Sequence, residues 1–488
     1  MFLKSKVVLG LTAASLLSAC ASPEQIGRLS PGNAGFDTVS TRANSILRKD
    51  TVMLMDAASI EANAKRVHSL VHQRTINADT AVQVALLNNR GLQARYAQLG
   101  VSSADVWQSI MQPNPIVSLG ALGLNADGVG AYRAIEGLIA FNLLSLFTQP
   151  ERTRLAELRF TQAQLSAVEE TLRVAIDTRR AWIEAVAAFE QGGLIREAQS
   201  TADAGSELAA RLGETGFLNK AGQAREHAFF AELSAQRASA KLDAQMAKEA
   251  LTRQLGLWGT EVDYYVPNNL PQLPRGVRGR PSIEAEALRG RVDLAIAKLE
   301  LEATAKARGM ENATRYVTDL ELIAGVEKER EIEDFVRSSE TTPSVELEFA
   351  IPIFDSGRAR MKKAEAQYMI AAHQLAERAV NVRSEARSAY AAYSGTYKIA
   401  RHYRDTVVPL RRTIEEESLL SYNGMITNTF ELLTDTRSRL NANLAEAAAR
   451  REFWLADANM LAAVHGGGAG AGAAGDGVQV AAGGDSPH

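Results

Sequence analysis

Apolar and polar side chains alternate with a period of two residues in two stretches of the second half of the chain. This period is typical of β-strands with one apolar and one wet face, and it predicts strands at about 316–327 and 344–354. The charge-rich segment between them, Lys328 to Thr342, is predicted to be a solvated loop. The wet faces of both strands carry the carboxylates Asp319, Glu321, Glu346 and Glu348.

Each of these strands is about as long as a tilted strand that crosses a membrane, which needs about 9 to 11 residues. The first half of the chain has a weaker counterpart, with strands predicted at about 115–124 and 135–147 and a Gly-rich loop from Asn125 to Arg133. Half-buried strands of a soluble domain would alternate in the same way. The pattern alone therefore leaves both interpretations open.

Four strands of membrane length are too few to close a barrel, because transmembrane barrels have about eight strands or more. Free strand edges in lipid would leave backbone N–H and C=O groups unpaired, at several kcal/mol each. If these strands cross a membrane, we expect the chain to assemble with copies of itself.

A long helix is predicted after each pair of strands, at about 151–212 and 358–422, and a second helix follows each, at about 218–256 and 427–464. Apolar residues recur every seven positions along the long helices, which predicts coiled-coil packing. These rows are Leu158, Leu165, Leu172 and Val186 in the first helix, interrupted by Arg179, and Met361, Tyr368, Leu375, Val382 and Ala389 in the second. Gly216 and Gly424 lie at the turns, where we expect a left-handed residue to reverse the chain.

The two halves of the chain match each other, so we predict two structural repeats, 75–265 and 282–465. Asn89 aligns with Arg291, and Gly216 aligns with Gly424. A proline-containing linker at 266–281 joins the repeats, an N-terminal tether and equatorial region covers 20–74, and a Gly/Ala-rich tail at 466–488 is predicted to be disordered.

The N-terminus has the pattern of an export signal, with basic residues, a short apolar run and small residues before Cys20. Leu17-Ser18-Ala19-Cys20 resembles a bacterial lipobox. We therefore predict a lipoprotein signal peptide at 1–19 and lipidation of Cys20, with palmitate in the attached lipid. The resemblance to such lipoproteins also implies sorting to the outer membrane, because Ala21 and not Asp follows the cysteine.

The formal net charge of -3, with 23% charged residues, gives no indication of a nucleic-acid partner. We find no credible catalytic constellation, and no cofactor or metal is expected apart from the lipid on Cys20. His68 and His72 have a spacing that can hold a metal, but no cysteine or methionine cluster completes a site.

The motifs Leu17-Ser18-Ala19-Cys20, Ile351-Pro352-Ile353-Phe354-Asp355-Ser356-Gly357 and Asn423-Gly424 resemble the TolC family of outer-membrane efflux proteins. The resemblance covers about residues 75 to 465. It implies a mixed α and β fold, in which three subunits share one 12-stranded β-barrel and long helices form a periplasmic α-barrel. It also implies passive transport, with a periplasmic adaptor and an inner-membrane transporter as partners.

Within that resemblance, Asp319, Glu321, Glu346 and Glu348 become pore-lining candidates that would favour cations, although solvation of a wet face explains them equally well. Glu431 and Asp435 become candidates for the periplasmic gate, because acidic residues often follow the helix turn in the family. The spacing from Gly424 to Glu431 is one residue longer than the family pattern.

The sequence is also compatible with a different class of function, namely a periplasmic coiled-coil structural or adhesin-like lipoprotein without a pore. A lipid-anchored hydrolase is the weakest alternative. Neither the transported substrate nor the particular adaptor and pump can be predicted from the residues.

Overall fold

The computed structural model describes residues 32–124, 132–216, 218–277, 279–333, 336–424, 426 and 429–468. The predicted signal peptide, Cys20, most of the loop predicted between the first two strands and nearly all of the Gly/Ala-rich tail lie outside the described residues. The chain divides into two compact units. Unit 1 contains the described residues up to Asp37, Gln98–Leu165 and Ala295–Arg378; unit 2 contains Thr38–Ala97, Ser166–Leu294 and the described residues from Ala379 onward.

Most of the described chain is helical, with four strands. The elements in order are α1 (Phe36–Leu47), α2 (Ala57–Val71), α3 (Ala78–Asn88), α4 (Arg90–Ile110), β1 (Ile116–Leu122), β2 (Ala134–Asn142), α5 (Leu143–Glu214), α6 (Lys220–Leu255), α7 (Ile283–Gly290), α8 (Val292–Ala313), β3 (Leu320–Glu333), β4 (Val336–Phe349), α9 (Arg358–His402), α10 (Val408–Asn423) and α11 (Thr429–His465). A short 3₁₀ helix, Gly259–Val262, follows α6, and a π-helical segment, Tyr403–Val407, joins α9 to α10.

The strands form one antiparallel sheet in the order β1-β2-β3-β4. The predicted solvated loop from Lys328 to Thr342 is wrong, because Lys328 pairs with Thr341 and the hairpin continues to Glu333 and Val336. Backbone pairing extends the hairpin through residues that are mostly polar at both odd and even positions, so the period of two that predicted the inner part is absent there.

The ends of the second hairpin that lie next to the helices also differ from the prediction. β3 begins at Leu320, and β4 ends at Phe349, so Asp319 and Ile353 lie outside the strands. Pro352 lacks the N–H that a further ladder bond would need. The strand therefore stops before the end of the alternating pattern.

In the first repeat, the long helix starts at Leu143, whereas 151 was predicted, and the second strand ends at Asn142. The Asn142 side chain accepts a hydrogen bond from the backbone N–H of Ser145 at 2.8 Å, which satisfies a donor of the first helical turn. The apolar run from Leu143 to Phe147 therefore belongs to the helix. Because this run is nearly apolar throughout, its pattern does not distinguish a buried strand from a helix.

The helix before each pair of strands is broken at one residue, and the two break residues are Asn89 and Arg291. Both are extended, with φ and ψ of −63° and 116° at Asn89 and −69° and 124° at Arg291. The Asn89 side chain accepts the backbone N–H of Leu92 at 3.0 Å and so begins the next helix. The two halves of the chain thus share the same local bend at aligned positions.

The second long helix is also not continuous, since the π-helical segment interrupts it before α10. Pro409 cannot donate a hydrogen bond to the carbonyl of Asp405, and its ring crowds that carbonyl. Extra residues in the turn relieve this conflict. The predicted helix at 358–422 is therefore corrected to two helices with a π-helical junction.

The two turn glycines differ in conformation. Gly216 has a φ of +78°, as expected for a left-handed residue after a helix. Gly424 has a φ of −77° and ψ of 2°, so the expected left-handed conformation is wrong there. Its N–H instead continues the hydrogen bonding of α10 by donating to the carbonyl of Leu420 at 2.9 Å.

The main apolar core lies in unit 2. All of α3 from Ala81 to Leu87, apart from Gln83, is buried, and α5 adds Leu172, Ile176 and Val186. In the second repeat, Val382 and Ala386 of α9 pack with α7 and α11 in one cluster. The heptad positions Leu172, Val186 and Val382 are thus buried contacts between helices.

Ion pairs are buried within this core. Arg291, at the helix break, binds Asp293 at 2.7 Å and also contacts Glu385 of α9. Burial acts to lower the pKa of Arg291, but the bonds to Asp293 and Glu385 outweigh it and raise that pKa. Arg450 of α11 similarly binds Glu190 of α5, and both side chains are buried. These charges depend on their partners, because a buried ion without compensation is strongly unfavourable.

We expect Arg291→Ala to lower the free energy of unfolding by about 3–5 kcal/mol, because it removes the cation that compensates the buried Asp293 carboxylate. Chemical denaturation of the detergent-solubilised protein measures this loss. Arg383→Ala is the control, since Arg383 lies exposed on α9, and it should change stability by about 0.5 kcal/mol or less. Equal effects of the two substitutions would show that the buried pair has no special role.

Candidate functional site

One face of the four-stranded sheet is apolar and exposed in the isolated chain. The register places side chains of all four strands on it, because Val117 pairs with Ile139, Ile139 with Ala324 and Ala324 with Val345. We call this the apolar face; its exposed members are Val117, Leu119, Ile135, Ile139, Val326, Val345, Leu347 and Phe349. Leu119 is 82% exposed and Val345 is 75% exposed, so the chain itself does not cover this surface.

Exposed apolar area is unfavourable in water by about 25 cal/mol per Å². Contiguous apolar patches on a protein surface mark contacts with another protein or with a membrane. A sheet face of this kind, repeated at every second residue over four strands, matches the lipid-facing pattern of transmembrane strands.

The opposite face carries carboxylates, and we call it the acidic face. Glu321 of β3 is paired directly with Glu348 of β4. Glu346 of β4 is paired with Ile323 of β3 and lies on the same face. Asp319 precedes the first residue of β3 and is not part of the paired sheet. The structure therefore brings three of the four predicted pore-lining residues together.

The acidic face contains further carboxylate pairs that sequence reasoning missed. Glu136 of β2 pairs with Glu327 of β3, and Glu329 pairs with Glu340 of β4. Glu136 is the only carboxylate in the predicted strand 135–147, and that isolated charge in an apolar run was the available signal. The pairing itself depends on register between distant strands.

Like charges placed directly opposite each other destabilise a sheet. One of these carboxylates, Glu329, is 3.3 Å from the Arg133 guanidinium, which offsets part of the repulsion. The remaining repulsion is weakest where water and mobile cations can reach the carboxylates. The acidic face is therefore suited to an aqueous space that attracts cations.

β1 and β4 are the edges of the sheet, and in the described part of the chain no other strand pairs with them. An edge strand presents a row of free backbone groups. In hydrocarbon such an edge must be paired, so the apolar face and the free edges together require a partner for the sheet.

The gate candidates lie at the start of α11. Asp435 is half-buried and accepts a hydrogen bond from the Ser418 hydroxyl of α10, while Glu431 is exposed. Two arginines on the same helix, which sequence reasoning missed, bind neighbouring helices: Arg439 contacts Glu415 at 2.7 Å, and Arg437 contacts Glu226 at 3.1 Å. This end of unit 2 is thus held by a network of charges.

His68 and His72 stack with their ring centroids 4.4 Å apart. Within the described ranges, no group of three or more His, Cys, Asp or Glu side chains could hold a metal ion. None of the helices in those ranges combines the length and apolar composition needed to span a membrane.

No protein-family model and no curated protein matches the sequence. Solved structures, in contrast, match the fold. One match is CusC, whose crystal structures concern conformational changes that accompany folding and transmembrane channel formation. It is 15% identical at a TM-score of 0.66, over 80% of this chain and 92% of CusC. The outer membrane channel CmeC of Campylobacter jejuni is 15% identical at a TM-score of 0.65, over 80% of this chain and 86% of CmeC. The outer membrane protein VceC of Vibrio cholerae is 16% identical at a TM-score of 0.65, over 80% of this chain and 96% of VceC.

These matches cover four fifths of this chain and nearly the whole of each solved chain. The chain therefore has the fold of these three solved structures. The mixed fold that was expected, with long helices and four strands per chain, is confirmed.

Proposed function

We propose that the chain is an outer-membrane channel subunit of a bacterial tripartite efflux or export system. It passively conducts substrates that a periplasmic adaptor and an inner-membrane transporter deliver. The observation that carries this proposal is the sheet with its exposed apolar face, its acidic face and its two free edges. The fold shared with the outer membrane channel CmeC supports it.

Three copies of the chain would join β4 of one copy to β1 of the next, which pairs every free edge. Four strands per copy then give the 12-stranded barrel that the resemblance to the TolC family implies. The apolar face turns towards lipid, and the acidic face lines the lumen. Closure removes the unpaired backbone groups that hydrocarbon would penalise by several kcal/mol each.

The long helices serve as the walls of a periplasmic conduit in this proposal. Their buried heptad positions, such as Leu172 and Val382, favour packing side by side. The chain would make or break no bond, since its role is to provide a continuous aqueous path. A periplasmic spacer without a pore has no use for an exposed apolar sheet face, and this observation disfavours that alternative.

Lipidation of Cys20 is part of the proposal and rests on the lipobox-like sequence alone. One acyl chain anchors a protein only marginally, so stable attachment needs a second element. The shared barrel would supply that element. The lipid would therefore assist assembly at the outer membrane more than it would hold the finished channel.

The acidic face predicts a channel that prefers cations, because carboxylates in a lumen repel anions. In planar bilayers with a salt gradient, the purified oligomer should conduct, and its reversal potential should have the sign of cation preference. Neutralising two cross-strand pairs, with E136Q, E327Q, E321Q and E348Q combined, should move the reversal potential towards zero.

Glu232→Gln is the matched control, since Glu232 is an exposed carboxylate on α6 that does not belong to the sheet. It should leave the reversal potential unchanged. A chain that stays monomeric and soluble without detergent, or an oligomer that does not conduct, would refute the channel.

For the gate, we expect Glu431→Ala with Asp435→Ala to raise the leak conductance of the closed channel severalfold. Asp435 holds Ser418 on the neighbouring helix, so its loss should loosen the contact between α10 and α11. Single-channel recording measures the open probability. Glu417→Ala removes an exposed carboxylate of α10 as a control, and an equal leak in the control would remove both residues from the gate.

A further inference from the structure

Each of the two strand-to-helix junctions of unit 1 presents an exposed phenylalanine. Phe147 lies in the first turns of α5, directly after β2, and it is 75% exposed. Phe354 lies between β4 and α9 and is fully exposed, together with Ile351 and Ile353. The two phenylalanines occupy corresponding places in the repeats, since each ends the apolar run that follows the second strand.

The second junction is held in a defined conformation. Arg315 donates a hydrogen bond from Nε to the carbonyl of Ser356 at 2.9 Å, and the Asp355 side chain accepts the Gly357 N–H at 2.8 Å. Gly357 has a φ of +70°, and a Cβ there would come within 2.9 Å of the Arg315 side chain. The backbone around Phe354 is therefore fixed while its side chain projects outward.

Exposed cations follow both phenylalanines. They are Arg152 on α5 and Arg358, Lys362 and Lys363 on α9. Among the described residues, no ion pair is formed by any of the four. Nearby carboxylates are already engaged, since Glu151 binds Arg154 at 2.5 Å and Glu365 binds Arg308 at 3.5 Å. Glu311 and Asp355 both contact Arg360, at 3.7 Å and 4.0 Å. Both junctions thus combine an exposed ring with uncompensated positive charge.

We propose that these two junctions bind the headgroups of anionic phospholipids in the membrane leaflet nearest the helical end of the sheet. This inference rests on the proposed channel function, because it needs the apolar face to lie in lipid. Phe147 and Phe354 would occupy the boundary between hydrocarbon and headgroups, where aromatic side chains are enriched. The four exposed cations would then contact the lipid phosphates, and a headgroup with a net negative charge would bind them more tightly than a neutral one. These cations are Arg152, Arg358, Lys362 and Lys363.

A second copy of the chain is the other occupant to consider for this surface. If β4 of one copy pairs with β1 of the next, the segment that precedes β1, Met111 to Pro115, comes closest to the second junction. That segment contains no carboxylate, and α4 before it contains only Asp105. A neighbouring copy therefore offers little to neutralise the cations, whereas an anionic lipid surface does.

Native mass spectrometry of the purified oligomer tests this inference. The oligomer is titrated with phosphatidylglycerol or with phosphatidylethanolamine, and the bound lipids are counted. The unmodified protein should bind phosphatidylglycerol at least about tenfold more tightly, since a single cation near an anionic surface already contributes about fivefold. The combined variant R152Q, R358Q, K362Q and K363Q should bind both lipids equally.

The matched control replaces four exposed cations of unit 2, with R95Q, K220Q, K241Q and K398Q, and should keep the preference. An unchanged preference in the junction variant, or the same loss in the control, would overturn the inference. So would a failure of the junction variant to form oligomers, since the surface would then belong to a second copy. Conductance of the junction variant in bilayers of phosphatidylethanolamine alone tests the channel function separately.

Discussion

The unsatisfied edges of the sheet are the constraint on which the other features depend. Water can satisfy the unpaired backbone groups of a strand edge, and lipid suits an apolar face. An isolated four-stranded sheet cannot meet both requirements in one environment. With β1 and β4 unpaired and Leu119 and Val345 exposed, the single chain is an incomplete structure. In the proposed barrel, association through the edges would resolve the conflict, and it would place the paired carboxylates of Glu321 and Glu348 on the inside, where water can solvate them.

The two compact units differ in where their apolar residues lie. Unit 2 buries them between helices and places ion pairs such as Arg450 with Glu190 among them. Unit 1 instead exposes an ordered apolar surface on its strands and at its junctions. The ordered apolar surface of unit 1 is thus left available for contact with another protein or with a membrane.

The sequence predicted those strands whose two faces lie in different surroundings. Leu347 and Glu348 face different surroundings, so the second hairpin showed a clear period of two. The outer part of that hairpin was missed because both of its faces are polar, and the start of α5 was missed because a single cap at Asn142 decides it. Register and partner choice could not be predicted either. Glu136 with Glu327, and Glu190 with Arg450, are brought together only by tertiary packing across distant segments.

Site-directed spin labelling along β4 of the assembled protein tests the central claim most directly. The sequence contains one cysteine, Cys20, so single cysteines can be placed at positions 345, 346, 347 and 348 with little background. Labels at 345 and 347 should be reached by oxygen dissolved in hydrocarbon, and labels at 346 and 348 by a water-soluble nickel chelate. If accessibility does not alternate, or if all four labels are shielded from both reagents, the sheet does not separate lipid from an aqueous lumen.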